Sequence, residues 1–143
     1  MTSVVTLIKD QHREMDKLLK QAESEKGDVA KVLQQLRDLL KPHQDAEEEF
    51  VYPAVLKAAA DTGDEVKDGT AEHHQMEELL GQLLEGKPGD PGYDGTVAAL
   101  AAELRHHVEE EEEDLLPELQ KNSTRAELDA LGERFAKATG RKS

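Results

Sequence analysis

The chain has 143 residues, with 32 acidic against 18 basic side chains and a net charge of −14, which opposes binding to nucleic acid or to an anionic membrane surface. It has no cysteine, which excludes disulfides, thiolate metal sites and cysteine nucleophiles and fits a cytoplasmic location. Aromatic residues are few and Leu, Ala, Glu, Lys and Gln abundant, so a single all-α domain with a narrow core is expected. The surplus of acids suits a protein that holds cations. "MTSVVTLIKDQHRE" lacks the basic lead of a secretory signal, and no run approaches the roughly 20 apolar residues of a membrane span.

A first helix is predicted over about residues 3–24, because Val5, Ile8, His12, Met15 and Leu19 recur at spacings of three and four. Gly27 ends it. Residues 28–60 form a second pattern, with Leu33, Leu36, Leu40, His43, Glu47, Phe50 and Ala54 on one stripe. Pro42 and Pro53 lie inside it, but the stripe keeps its phase through Pro42, so a kinked helix is expected rather than two. "DTGDEVKDGT" (61–70) reads as a turn or loose helix start. A third helix then runs to about residue 85, with Val66, His73, Met76, Leu80 and Leu83 on one face.

The stretch "EGKPGDPGYDG" is a loop. A fourth helix over about 94–121 aligns Val97, Leu100, Leu104, His107, Glu111 and Leu115. Thr124 and Glu127 have the spacing of a capping box, opening a short fifth helix with Leu128, Leu131 and Phe135 on its apolar edge. The expected architecture is an up-down-up-down four-helix bundle over residues 1–121. Residues 122–143 form a C-terminal helix and tail packed on its outside.

The chain repeats itself. "HQDAEEEFVYP" at 43–53 matches "HVEEEEEDLLP" at 107–117, and "DQHREMDKLL" at 10–19 matches "AEHHQMEELL" at 71–80. Each half is therefore one copy of a two-helix unit. Neighbouring helical residues point about 100° apart, so only one of each adjacent histidine pair can face inward. The repeat selects His73 over His74 and His107 over His106.

His12, His43, His73 and His107 thus lie on the apolar stripes of four different helices. An unpaired polar group buried there costs about 1–3 kcal/mol. Glu47 and Glu111 each follow a histidine by four residues and share its face. A buried carboxylate is costly without a cation. Four imidazoles and two carboxylates converging in a bundle core describe a site for two metal ions, of iron, zinc or manganese.

Asp16 and Glu77 also follow a histidine by four and rank second as ligands. Met15 and Met76 read as core fillers. Tyr52, nine residues from His43 and so about 180° around the helix, is expected to pack on the other side. Glu48, Glu49, Glu109, Glu110, Glu112 and Glu113 read as a solvated charge run.

The order H … H-x-x-x-E … H … H-x-x-x-E, followed by "EEEFVYP" and "EEEDLLP", resembles the hemerythrin-like (HHE cation-binding) domain over about residues 4–120. The resemblance implies a left-handed bundle around two iron ions with an oxo or hydroxo bridge. It implies iron ligands at His12, His43, Glu47, His73, His107 and Glu111, with both glutamates bridging. Such domains bind dioxygen, sense oxygen or iron, handle peroxide or nitric oxide, or store iron.

The chain departs from the oxygen-carrying hemerythrins. They carry a second histidine where Glu77 stands, and they space the fourth-helix histidine and acid by five rather than four. With one neutral donor fewer, an open position for a small oxidant and catalase-like peroxide turnover or reaction with nitric oxide are favoured over reversible dioxygen carriage. The ferritin-type E-x-x-H pair occurs only at Glu103 and His106, without a partner on another helix. The alternative is an iron- or oxygen-responsive or iron-storing module without turnover. The partners expected are small molecules, O2, peroxide or NO, with the protein a monomer or dimer.

Overall fold

The computed structural model describes residues 2–24 and 27–141. They form helices α1 (Val4–Glu23), α2 (Val29–Ala46), α3 (Tyr52–Ala58), α4 (Gly63–Glu85), α5 (Tyr93–Glu110), α6 (Leu116–Lys121) and α7 (Arg125–Thr139). Two π-helical turns, Glu47–Val51 and Glu111–Leu115, join α2 to α3 and α5 to α6. The protein is all-helical among the described residues, and no helix there is long and apolar enough to cross a membrane.

The helix ends follow from local chemistry. Ser3 accepts from the Val5 amide and Asp28 from the Lys31 amide, capping α1 and α2. Thr124 and Glu127 form the expected reciprocal capping box of α7. Residues 63–70, read as a turn or loose start, form the first turns of α4. Glycine propensity is a weak signal there, and the packing of Val66 in the core overrides it.

The second predicted helix is continuous through Pro42, as its phase required. The departure from α geometry falls later, at the π-turn. The Tyr52 amide bonds to the carbonyl of Glu47, five residues back, and the Leu116 amide to that of Glu111. Pro53 and Pro117 follow immediately. Neither has an N–H to continue an α-helical ladder, and the widened turn relieves the clash of the ring with the preceding turn.

Two apolar layers fill the bundle. One contains Met15, Leu19, Leu36, Leu40, Met76, Leu80, Leu100 and Leu104. The other contains Val4, Ile8, Phe50, Val55, Val66, Leu115, Leu119 and Phe135. α1 and α4 run from the second layer to the first, and α2 and α5 run back, which is the up-down-up-down order. Each selected histidine lies between the layers: His12 between Ile8 and Met15, His43 between Leu40 and Phe50, His73 between Val66 and Met76, His107 between Leu104 and Leu115.

Helix α7 lies against α1 and α2. Its Phe135 is fully buried and its Gly132 receives the incoming N-terminus. A Cβ at Gly132 would collide with the Thr2 carbonyl oxygen, so only glycine permits that approach.

Candidate metal centre

The structure brings all six selected side chains together. His12, His43, Glu47 and Glu111 form one group, and His73, His107, Glu47 and Glu111 another, with the donor atoms of each within 4.8 Å of one another. All six are at most 4% exposed. The two glutamates belong to both groups.

The carboxylate oxygens divide between the halves. Glu111 places Oε1 3.3 Å from His12 Nε2 and Oε2 3.2 Å from His107 Nε2. Glu47 places Oε2 3.4 Å from His43 Nε2 and Oε1 3.1 Å from His73 Nε2. Each carboxylate therefore offers one oxygen to each histidine pair, which is what a bridge between two cations requires.

Behind each imidazole stands an acceptor. His12 Nδ1 donates to Glu112 Oε2 (2.7 Å) and His73 Nδ1 to Glu48 Oε2 (2.8 Å). His43 Nδ1 donates to Gln11 Oε1 (2.7 Å) and His107 Nδ1 to Glu72 Oε1 (2.7 Å). A carboxylate only accepts, so it holds a proton on Nδ1 and leaves Nε2 as the atom of each ring that faces inward. His12 Nε2, His43 Nε2, both Glu47 oxygens and Glu111 Oε1 are buried without a hydrogen-bond partner. Polar atoms are rarely left this way in a core, and a set of nitrogen and oxygen donors facing one another fits divalent cations of the iron, zinc and manganese type.

The electrostatics express the same crowding. Burial works against a charge on His12, but Glu111 and Glu112 outweigh it and push its pKa up to about 9. His107 is likewise disfavoured by burial and raised by Glu111 and Glu47, to about 10. Burial, with His12 beside it, drives His43 well below the usual imidazole value. Glu47 is pushed up to about 8 by burial and by the charge of Glu111. Glu111, also disfavoured by burial, is held well below the usual carboxylate range by Glu47, His107 and His12. Cations would replace these makeshift protons with full compensation.

Several expectations are corrected. Tyr52 does not pack on the far side: it is 2% exposed and its hydroxyl donates to Glu111 Oε2 at 2.7 Å, with His73 Nε2 at 3.3 Å. The π-turn inserts one residue between His43 and Tyr52, so the effective separation falls to about eight residues, or about 80°. Gly69 makes the room, because a Cβ there would lie 2.9 Å from the Tyr52 hydroxyl. Burial and the charges of Glu111 and Glu47 raise the phenol pKa, keeping it a donor.

Glu48 and Glu112 are not merely solvated, since they hold His73 and His12. The repeat carried that signal: both follow a histidine by five, as Gln11 and Glu72 both precede one. Asp16 and Glu77 do not join the cluster. Asp16 pairs with Arg105 (2.9 Å) and Lys20 (3.1 Å), and Glu77 with Lys41 (3.5 Å). His74 and His106 are exposed.

Fold and site together define an all-helical bundle with a buried His/Glu cluster suited to metal ions. Residues 3–119 match the family description "Hemerythrin HHE cation binding domain", and the chain belongs to that family. No curated protein and no solved structure matches it.

Proposed function

We propose that the chain is a non-haem di-iron protein of the hemerythrin-like class that binds or reacts with a small oxidant: O2, hydrogen peroxide or NO. The observation that carries this reading is the division of each carboxylate between two histidine pairs. It supports one cation held by His12 and His43, a second held by His73 and His107, and Glu47 and Glu111 shared by both. Two irons bound there would supply one-electron redox chemistry toward such a molecule.

The chain's own residues set the conditions. Glu112, Gln11, Glu48 and Glu72 orient the four imidazoles. Tyr52 donates its one phenolic proton to Glu111 Oε2, inside the cluster, and so helps to fix that carboxylate. The two apolar layers exclude water above and below. A pocket of about 140 Å³ lined by Met15, Leu19, Leu104 and Val108 reaches His12 and suits a small apolar molecule. A second, of about 80 Å³, reaches His107 and Glu111 between Glu65, Asp68, Glu72, Glu110 and Asp114, and its charge suits an arriving cation.

The test is elemental analysis and an absorption spectrum on one sample, followed by peroxide and NO assays. The reading expects about two irons per chain and turnover of peroxide that His107→Ala abolishes. Two irons without turnover would instead favour the iron-responsive or storage alternative. Absence of metal after anaerobic ferrous loading would overturn both.

A further inference from the structure

Helix α7 lies beyond the residues 3–119 that match the family, yet it touches the site. The Phe135 ring meets the His43 ring edge-on, at 5.3 Å between centroids. Thr139 Oγ1 accepts from Gln11 Nε2 at 3.1 Å, and Gln11 Oε1 accepts from His43 Nδ1 at 2.7 Å.

Gln11 differs from the other three acceptors. Glu48, Glu72 and Glu112 offer only lone pairs, but a glutamine amide has a donor end and an acceptor end of nearly the same shape. Were it reversed, its NH2 would face His43 Nδ1. His43 would then carry its proton on Nε2, the atom that faces Glu47, and would lose its inward lone pair.

Thr139 removes the ambiguity. Its hydroxyl proton is committed to the Phe135 carbonyl oxygen at 2.9 Å, as a helical threonine's can be, so Oγ1 presents a lone pair to Gln11. Only the NH2 end can satisfy it. The acceptor end of Gln11 is left facing His43.

We infer that Thr139 is a positioning residue that sets the tautomer of His43 through Gln11, so that docking of α7 prepares the His12–His43 half of the cluster for a cation. The inference rests on the metal-site reading above. Reciprocity follows: a cation held by His43 tightens the docking of α7.

The test uses the full chain and zinc as the probe, titrated against a chromophoric chelator, for wild type, Thr139→Val, Thr139→Ser, Gln11→Glu and the double variant Gln11→Glu/Thr139→Val. Thr139→Val keeps the shape and removes the acceptor. A water in its place would accept or donate and enforce nothing. The expected result is a loss of about 10- to 100-fold in affinity for one zinc of two, the usual scale for such supporting partners. Thr139→Ser retains wild-type affinity. The double variant recovers it, because a glutamate at position 11 needs no help to accept.

In parallel, the ¹⁵N shifts of His43 in the zinc-free chain report the tautomer. They should show the proton on Nδ1 in wild type and a mixture in Thr139→Val. Equal loss of both zincs, no loss, or no recovery in the double variant would overturn the inference. If wild type takes up no zinc, the reading of the site fails, and the tautomer measurement alone decides whether Thr139 acts as stated.

Discussion

The two halves of the cluster are built from the same repeat and are not the same. Each has two histidines from adjacent helices, one oxygen from each shared glutamate, and behind one imidazole the glutamate that follows a shared one in sequence. Even the outer ion pairs correspond: Arg105 holds Asp16 as Lys41 holds Glu77.

They differ in what touches the other imidazole. His43 leans on a neutral amide, Gln11, under Phe135 and Thr139 of α7. His107 leans on a carboxylate, Glu72, beside an acid-lined pocket. Tyr52 enters the His73 side, while its counterpart in the repeat, Leu116, is apolar. Duplication preserved the donors; divergence lies in the atoms behind them. An anionic acceptor raises the basicity of an imidazole more than a neutral one, so the two positions are chemically unequal.

The largest expected effect tests whether the halves share anything. Glu47→Ala and Glu111→Ala should each abolish binding of both metals, whereas His43→Ala and His73→Ala should each weaken one first. Metal stoichiometry by elemental analysis separates these outcomes, and loss of a single metal in both glutamate variants would break the shared-carboxylate reading.

Next comes the asymmetry itself. Glu72→Gln should weaken the His73–His107 position by about 10-fold and leave the other unchanged, read by chelator competition. An equal effect on both positions would remove the distinction.

Tyr52→Phe should destabilise the metal-free fold by about 1–3 kcal/mol, because Glu111 Oε2 loses its buried donor. Gly69→Ala should act in the same direction by displacing the ring. Urea denaturation checks both, and a stable Tyr52→Phe would mean that the hydroxyl contributes nothing there.

The pH dependence is smaller and has a definite sign. The pKa values of His12 and His107 are raised to about 9 and about 10 in the metal-free chain. Their protonated pairing stabilises that form fully below the ordinary imidazole value near 6.5 and is lost as pH rises through 9 to 10. Metal uptake competes with these protons. Affinity should therefore increase with pH over the same window, and loading at pH 7 should release protons, measurable with an indicator dye. The smallest effect is expected of His74→Ala and His106→Ala, which should leave metal content unchanged because both side chains are exposed and neither belongs to the two buried donor groups.

Much of this was legible in the chain. The phase of the apolar residues gave the four long helices, and the repeat separated His73 from His74 and His107 from His106. Those choices needed only the helical period, a local property that spacing reports directly. Gln44 illustrates the limit: it is buried with an unpartnered amide nitrogen, a feature that no periodicity announced and that nothing in the structure explains.

What tertiary structure alone decided was whatever depends on a broken period or on a second element. A π-turn beginning at Glu47 rotated Tyr52 into the site against a count that assumed a regular helix. Glu48 and Glu112 gained their roles only when helices distant in sequence brought His73 and His12 against them. Thr139 met Gln11 only once α7 had docked on α1. The sequence by itself determined which faces turn inward, because a helix has one period. It left open which inward and half-exposed groups meet, because that depends on how separate helices are set against one another.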